Sequence, residues 1–274
     1  MALGVALLVI VSAMMHASWN AMLKRSRDPE HLVVSMSAAC AISSCALALA
    51  LHTRWPPRMA LLWIVGSGLL EAGYFLTLAR ALSLAPLGAV YTVVRGGALL
   101  IVWPVSILLL HEELTPLRGI GTALVLGGLA TQYAKAMGRG IAIAAVCACF
   151  VGGYHLCYKL ALSNGGSAEA VSSISISLAS VLVFATAGRE KRTKAITVAR
   201  VELVRTLVGG ALGAVGFLLF LAGMERAGAG TVTTLRNTSI LFAQILAFLL
   251  GERPKRLGIL GAVLVFAGAA LLAR

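Results

Sequence analysis

Charge is scarce in this sequence. Asp, Glu, Lys and Arg together make up 12 % of its 274 residues, about half of the roughly 25 % that covers a soluble domain. Hydrophobic residues make up 59 %, and the mean hydropathy is +0.94. So little polar material cannot face water on all sides, and a bilayer is the surrounding that the shortage fits. Signatures of catalysis are absent too. No Gly-rich loop ending in Lys-Ser/Thr opens a helix, which argues against nucleotide-driven pumping by this chain. There is no HExxH, no GxSxG and no pair of carboxylates in an aqueous loop, so neither an enzyme nor a cofactor is expected. Cysteines are few, and Cys40, Cys45, Cys147, Cys149 and Cys157 all lie in apolar runs. Cys147 and Cys149, two apart, point to different sides of a helix. Buried free thiols are expected, not a metal site or a disulfide framework.

What the chain has is long apolar runs. A hydrocarbon core of ~30 Å takes about 20 apolar residues to span as helix, so a chain of this length holds about ten spans and little else. Ten segments can be read, at about 3–22, 32–51, 60–80, 86–109, 117–134, 140–161, 170–187, 204–224, 229–250 and 257–273. The runs are continuous and do not alternate with period two, which favours helices over a barrel. The first run lacks a basic leader and is followed by Lys24, Arg25 and Arg27, so a retained helix is expected there and not a cleaved signal. Glycines inside the spans, such as Gly121, Gly128, Gly261 and Gly268, read as packing residues that let helix backbones approach.

The net charge of +13 does not indicate nucleic acid. Lys and Arg cluster between the apolar runs, where anionic headgroups and topology account for them. Fifteen of the 23 fall on the side opposite the termini and six on the side of the termini. By the positive-inside rule this puts the termini outside. The longest polar stretch, 188–202, is basic, too short for a domain, and suited to lying on the headgroups.

The two halves of the sequence resemble each other. Trp19-Asn20-Ala-Met-Leu-Lys24 matches Tyr154-His155-Leu-Cys-Tyr-Lys159, with an aromatic, a polar residue and a lysine in the same places. Glu113-Leu-Thr-Pro-Leu-Arg-Gly119 likewise parallels Glu252-Arg-Pro-Lys-Arg-Leu-Gly258, each after an apolar helix that carries one arginine, Arg95 or Arg236. The expected division is 1–137 and 138–274, five helices each. An odd number of spans makes the second copy enter from the opposite side, giving inverted repeats with a solute site at their interface near the midplane.

These stretches resemble the drug/metabolite transporter superfamily, EamA type. The resemblance rests on His16-Ala-Ser-Trp19-Asn20…Lys24, on Ala81-Leu-Ser-Leu-Ala85-Pro86 and on the duplicated Glu-then-Gly pattern. It covers essentially the whole chain and implies ten helices around a central cavity. It also implies a transporter, in a family that includes exporters of amino acids and other metabolites, small-cation carriers and lipid-linked sugar flippases. Relatives are usually drawn with both termini inside, opposite to the charge count.

Several residues stand out as candidates for binding. Arg95 lies about ten residues, roughly 13 Å, into its helix. It either engages a carboxylate or phosph(on)ate of the solute with its planar fork, or closes a salt bridge or snorkels. Arg236 has the same choice and lies closer to a helix end. Glu71 is the lone carboxylate in mid-span. It is either a proton carrier, since a carboxyl group out of water favours its neutral form, or a fixed partner of Arg95 or Arg80. His16, Trp19 and Asn20 share a helix face. With Tyr154 and His155 they could wall a cavity that holds an aliphatic or cationic solute, or they serve as interhelical glue and an interfacial anchor. Tyr74, Tyr91 and Asn237 are further candidates for the same site. Glu113 and Glu252 read as turn-and-cap residues.

The expected function is secondary active transport of a small polar metabolite, such as an amino acid or other small anion or zwitterion, by alternating access, with proton coupling through Glu71. The alternative is a lipid-linked sugar flippase or its subunit. A bacterial-type inner membrane is the expected location, with the solute and the lipid bilayer as partners, no nucleic acid, and a monomer or homodimer as the working unit.

Overall fold

The computed structural model describes residues 3–110, 115–133, 138–226, 232, 235–253 and 256–272. Among the described residues the secondary structure is helical, with no strand. Eleven helices follow in order: α1 (Leu3–Lys24), α2 (Pro29–Ala50), α3 (Arg58–Leu84), α4 (Leu87–Leu110), α5 (Pro116–Tyr133), α6 (Arg139–Ser163), α7 (Ala168–Thr186), α8 (Arg189–Val201), α9 (Leu203–Arg226), α10 (Ser239–Leu249) and α11 (Arg256–Leu272). Six of them, α1, α2, α3, α6, α7 and α9, are long and apolar enough to cross a membrane. The shorter apolar stretches Leu87–Val102, Gly119–Thr131, Ser239–Leu249 and Arg256–Gly268 lie in the other four long elements. Ile42, Leu49, Val181 and Leu249 point outward, Leu49 being 78 % exposed. In water such a surface would be a liability, whereas against lipid tails it is at home.

Local chemistry sets the helix ends. Asp28 caps α2 by accepting from the His31 N–H at 3.3 Å, with Pro29 in the first turn, where its missing donor costs nothing. Ser167 caps α7 through the Ala170 N–H. Pro86 holds Ala85 extended and so ends α3. Gly165 has φ +86° beyond α6, and the next amide, Gly166 N–H, returns to the Ala161 carbonyl at 3.0 Å.

The packing partners come in matched pairs. α3 packs on α6 as α1 packs on α9, α4 on α6 as α10 on α1, and α2 on α9 as α7 on α3. α5 packs on α11, α2 on α7 and α4 on α10. Exchanging α1–α5 for α6, α7, α9, α10 and α11 turns this set into itself. The α5–α11 crossing shows the relation in atoms. A Cβ added at Gly128 would lie 2.6 Å from the Gly261 carbonyl oxygen and 2.8 Å from a Val265 methyl. One added at Gly268 would lie 2.5 Å from the Gly121 carbonyl oxygen and 2.8 Å from a Val125 methyl. Each contact is the other with the helices exchanged, as at a two-fold interface. Residue 128 meets 261 while 121 meets 268, so the two helices run antiparallel.

Because backbone oxygen lies in the way at both points, Gly128→Ala and Gly268→Ala are each expected to destabilise the protein by about 1–3 kcal/mol. Thermal unfolding of the two variants should show losses of similar size. A loss at one position alone would contradict an equivalent crossing.

Nine of the ten expected segments match a helix to within a few residues at each end. The last turns of the ninth, 235–249, are interrupted ahead of α10. The stretch 188–202 is not a loop but holds α8. Its Arg192 donates to the Phe184 and Ala185 carbonyls at 2.8 and 2.7 Å, satisfying the end of α7. Ala195 is its buried residue, against α2 through the Ser35 hydroxyl. All five cysteines are free, but only Cys40 and Cys147 are buried. Cys45 and Cys149 are exposed on outward helix faces, which corrects the expectation of five buried thiols.

Candidate functional site

The buried polar residues converge where α1, α3, α4, α6, α9 and the segment before α10 meet. On α1, Ser12, His16, Trp19 and Asn20 share the inward face and are all buried. His16 Nδ1 accepts from Trp19 Nε1 at 3.2 Å and lies 3.3 Å from Arg236 Nη2, which can only donate. The ring therefore carries its proton on Nε2, 3.5 Å from the Tyr74 hydroxyl. Asn20 donates to the His16 carbonyl at 2.8 Å, and its Oδ1 has no partner among the described residues. Trp19 is 3 % exposed, so it is not an interfacial anchor. Its ring packs edge-on to Tyr74 and Phe75, with centroids 6.4 and 6.1 Å away.

Arg236 is fully buried, and the snorkelling alternative fails. Leu235 and Arg236 are helical, Asn237 and Thr238 form a turn, and α10 starts at Ser239. Shorter bonds replace the α-helical ladder there, Thr238 N–H to the Leu235 carbonyl and Ile240 N–H to the Asn237 carbonyl, each 3.0 Å. Discontinuous helices of this kind line solute sites in transporters. The guanidinium carbon lies 3.8 Å from the Phe220 ring centroid and 5.4 Å from that of Phe217. Nη1 donates to the Ser12 hydroxyl at 3.4 Å, and Nε has no partner among the described residues.

Arg95 approaches from α4, with its guanidinium carbon 5.6 Å from the Tyr91 ring centroid. Tyr91 in turn lies 6.2 Å from the His16 ring. Arg236 thus meets His16 directly, and Arg95 is linked to it through the Tyr91 ring. Among the described residues neither is within ion-pair distance of a carboxylate, so the internal salt bridge expected as an alternative for Arg95 is not made there.

Glu71 is also fully buried and is not an ion-pair partner of Arg95 or Arg80. Arg80 pairs with Glu30 at the membrane edge. Glu71 Oε1 accepts from the Tyr158 hydroxyl, and Oε2 accepts from Ser175 at 2.5 Å, behind which Ser67 donates to Ser175 at 2.9 Å. From α6, Tyr154 packs on Tyr74 and Phe217 at 5.5 and 6.5 Å, and His155 on Phe220 at 5.2 Å. The Phe217 and Phe220 rings of α9 are faced by the Arg236 guanidinium.

One property unites the cluster. Asn20 Oδ1, the Tyr91 and Tyr154 hydroxyls, Arg95 Nη2, both His155 ring nitrogens, Arg236 Nε and Asn237 Nδ2 are buried and lack a hydrogen-bond partner among the described residues. Each such atom costs about 1–3 kcal/mol, and native interiors seldom gather them. All ten expected binding residues lie in this one region of the interior.

Sequence reasoning missed Ser12, Phe217, Phe220, Tyr158 and Ser175. Ser12 is four residues before His16 and Tyr158 four after Tyr154, so helical spacing could have found both. Phe217 and Phe220 looked like ordinary core, and nothing in the sequence ties Ser175 to Glu71.

Away from the cluster, the Lys24 ammonium donates to the Leu82 and Ala85 carbonyls at 2.8 and 2.9 Å and lies 3.9 Å from Glu252. Glu252 Oε1 accepts from the Leu87 N–H at 3.0 Å. The expected cap is therefore made, but on α4 and not on Glu252's own turn. These bonds tie α1, the α3–α4 corner and the α10–α11 corner together on one side of the bundle. Glu113 lies outside the described residues.

The sequence profile of a family described as "EamA-like transporter family" matches residues 138–274. No curated protein matches the chain. A solved structure, titled only as the crystal structure of a protein, covers 97 % of this chain and 94 % of its own, with a TM-score of 0.62 and 22 % identity. That likeness is one of fold.

Proposed function

The chain belongs to the EamA-like transporter family, part of the drug/metabolite transporter superfamily, and on that premise we propose that it is a secondary active transporter of a small polar metabolite, an amino acid or other small anion or zwitterion. The observation that carries this reading is the pair of buried guanidinium groups, one from each half of the chain, gathered about His16 and Tyr91 with no carboxylate in ion-pair reach among the described residues. Isolated charge inside a membrane is expensive and marks solute pathways. We place the site between two inverted five-helix repeats, 1–137 and 138–274. The exchangeable packing partners and the antiparallel two-fold crossing of α5 and α11 support that division, as does a family match that begins at residue 138. The site residues are at most 5 % exposed, so the solute would enter by alternating access. Glu71 is the proposed proton carrier, and a bacterial-type inner membrane the proposed location.

Counterflow tests the reading: proteoliposomes loaded with one unlabelled metabolite should accumulate the same labelled metabolite from outside. Accumulation no greater than in protein-free vesicles for all of a panel of amino acids, hydroxy acids and phosphate esters would count against it.

A second reading, a flippase for lipid-linked sugars, is favoured by one feature. A groove of about 680 Å³ opens between α1, α9 and α10, lined by Met22, Leu246, Leu249 and Leu250 together with Arg25 and the ion pair of Arg205 with Glu202. Headgroup charge and acyl chain would both find a counterpart there. Counterflow of soluble metabolites separates the two readings.

A further inference from the structure

We propose that the solute is an oxyanion without an ammonium group, so that the site takes carboxylates or phosphate esters and rejects amino acids and amines. The inference rests on the transport reading above and narrows it. The buried donors left unpaired among the described residues include Arg95 Nη2, Arg236 Nε and Asn237 Nδ2, and the Tyr91 and Tyr154 hydroxyls can donate as well. Together they offer hydrogen bonds to several oxygens from different directions, and two of the groups carry full positive charge. A planar guanidinium fork suits a carboxylate or a phosphate.

An ammonium finds nothing comparable. It would need a carboxylate or the face of an aromatic ring. Glu71 is the one buried carboxylate among the described residues, and its two oxygens already accept from Tyr158 and Ser175. The Phe220 and Phe217 rings are faced by Arg236 and the Tyr91 ring by Arg95, while Trp19, Tyr74 and Tyr154 pack against one another. His16 Nδ1 already accepts from Trp19 and faces Arg236. The acceptors that remain, Asn20 Oδ1, one nitrogen of His155 and the oxygens of the Tyr91 and Tyr154 hydroxyls, are all uncharged, and any cation placed beside them is repelled by both arginines. The interior is thus rich in donors and positive, with its one negative group already in use.

The test compares matched pairs on the purified full-length protein: alanine with lactate, aspartate with malate, and phosphoethanolamine with ethyl phosphate. A ligand that binds only the folded state raises the unfolding temperature. At least one member without nitrogen should stabilise the protein at a concentration at least about tenfold lower than its amino counterpart, and Arg95→Gln and Arg236→Gln should each remove that effect. The second variant guards against failure of either one to fold. Equal or better stabilisation by the amino member, or none by any compound, overturns the proposal. So does an anion that stabilises both folded variants as it does the wild type. If counterflow then shows an amino acid moving, the transport reading stands and this narrowing alone is lost; if nothing moves, the transport reading falls as well.

Discussion

Arg95→Ala is expected to abolish transport while leaving the fold as stable as before or more so. Removing one member of a buried, hydrogen-bonded charge pair costs about 2–5 kcal/mol of binding, and every 1.4 kcal/mol is tenfold. Solute affinity should therefore fall by about 30-fold or more. Stability should move the other way, because Arg95 has no carboxylate partner among the described residues and alanine leaves no buried charge behind. A structural salt bridge would behave in the opposite manner, losing about 3–5 kcal/mol when one partner is removed. The two measurements together, transport and thermal unfolding, distinguish the roles. Arg95→Lys keeps the charge without the fork and should recover only part of the activity. Near-normal transport by Arg95→Ala would remove the guanidinium from the solute site.

Glu71→Gln should uncouple transport from the pH gradient. If one proton moves per solute, a gradient of one pH unit is worth about 1.4 kcal/mol, or a tenfold change in the accumulation ratio of the wild type. Glutamine keeps the shape of the side chain but cannot take up and release a proton. In that variant the ratio should no longer respond to the gradient, while counterflow, which needs no net coupling, persists. One of the hydroxyls that donate to Glu71, Tyr158 or Ser175, must turn to accept from the new amide, at a cost of about 1 kcal/mol in stability. A ratio that still follows the pH gradient in Glu71→Gln would end the role of Glu71 as carrier.

Much of the scaffold is written in the sequence at the level of composition. Long apolar runs separated by Pro, Gly and charge define the spans, and a lone arginine in such a run is conspicuous because few residues cost more there. Arg95, Arg236 and the His16-Trp19-Asn20 face were legible for that reason. Their partners were not. The hydroxyls that hold Glu71 come from α6 and α7, some ninety and one hundred residues further along, and no local pattern reports which helices meet. The turn at Asn237 and Thr238 was missed because hydropathy shows such a run as continuous. The amphipathic α8 was hidden for a related reason: in so apolar a chain, a charged stretch reads as a connection.

Access to the arginine cluster from each side in turn is the measurement that bears most directly on this account. A single cysteine at position 91, Tyr91→Cys in a background without the native cysteines, would be challenged in sealed vesicles with a membrane-impermeant thiol reagent added on one side or the other. The account predicts labelling from either side, with the transported solute protecting the cysteine. A cysteine that reacts from neither side under turnover, or from both with no protection by any solute, would contradict it.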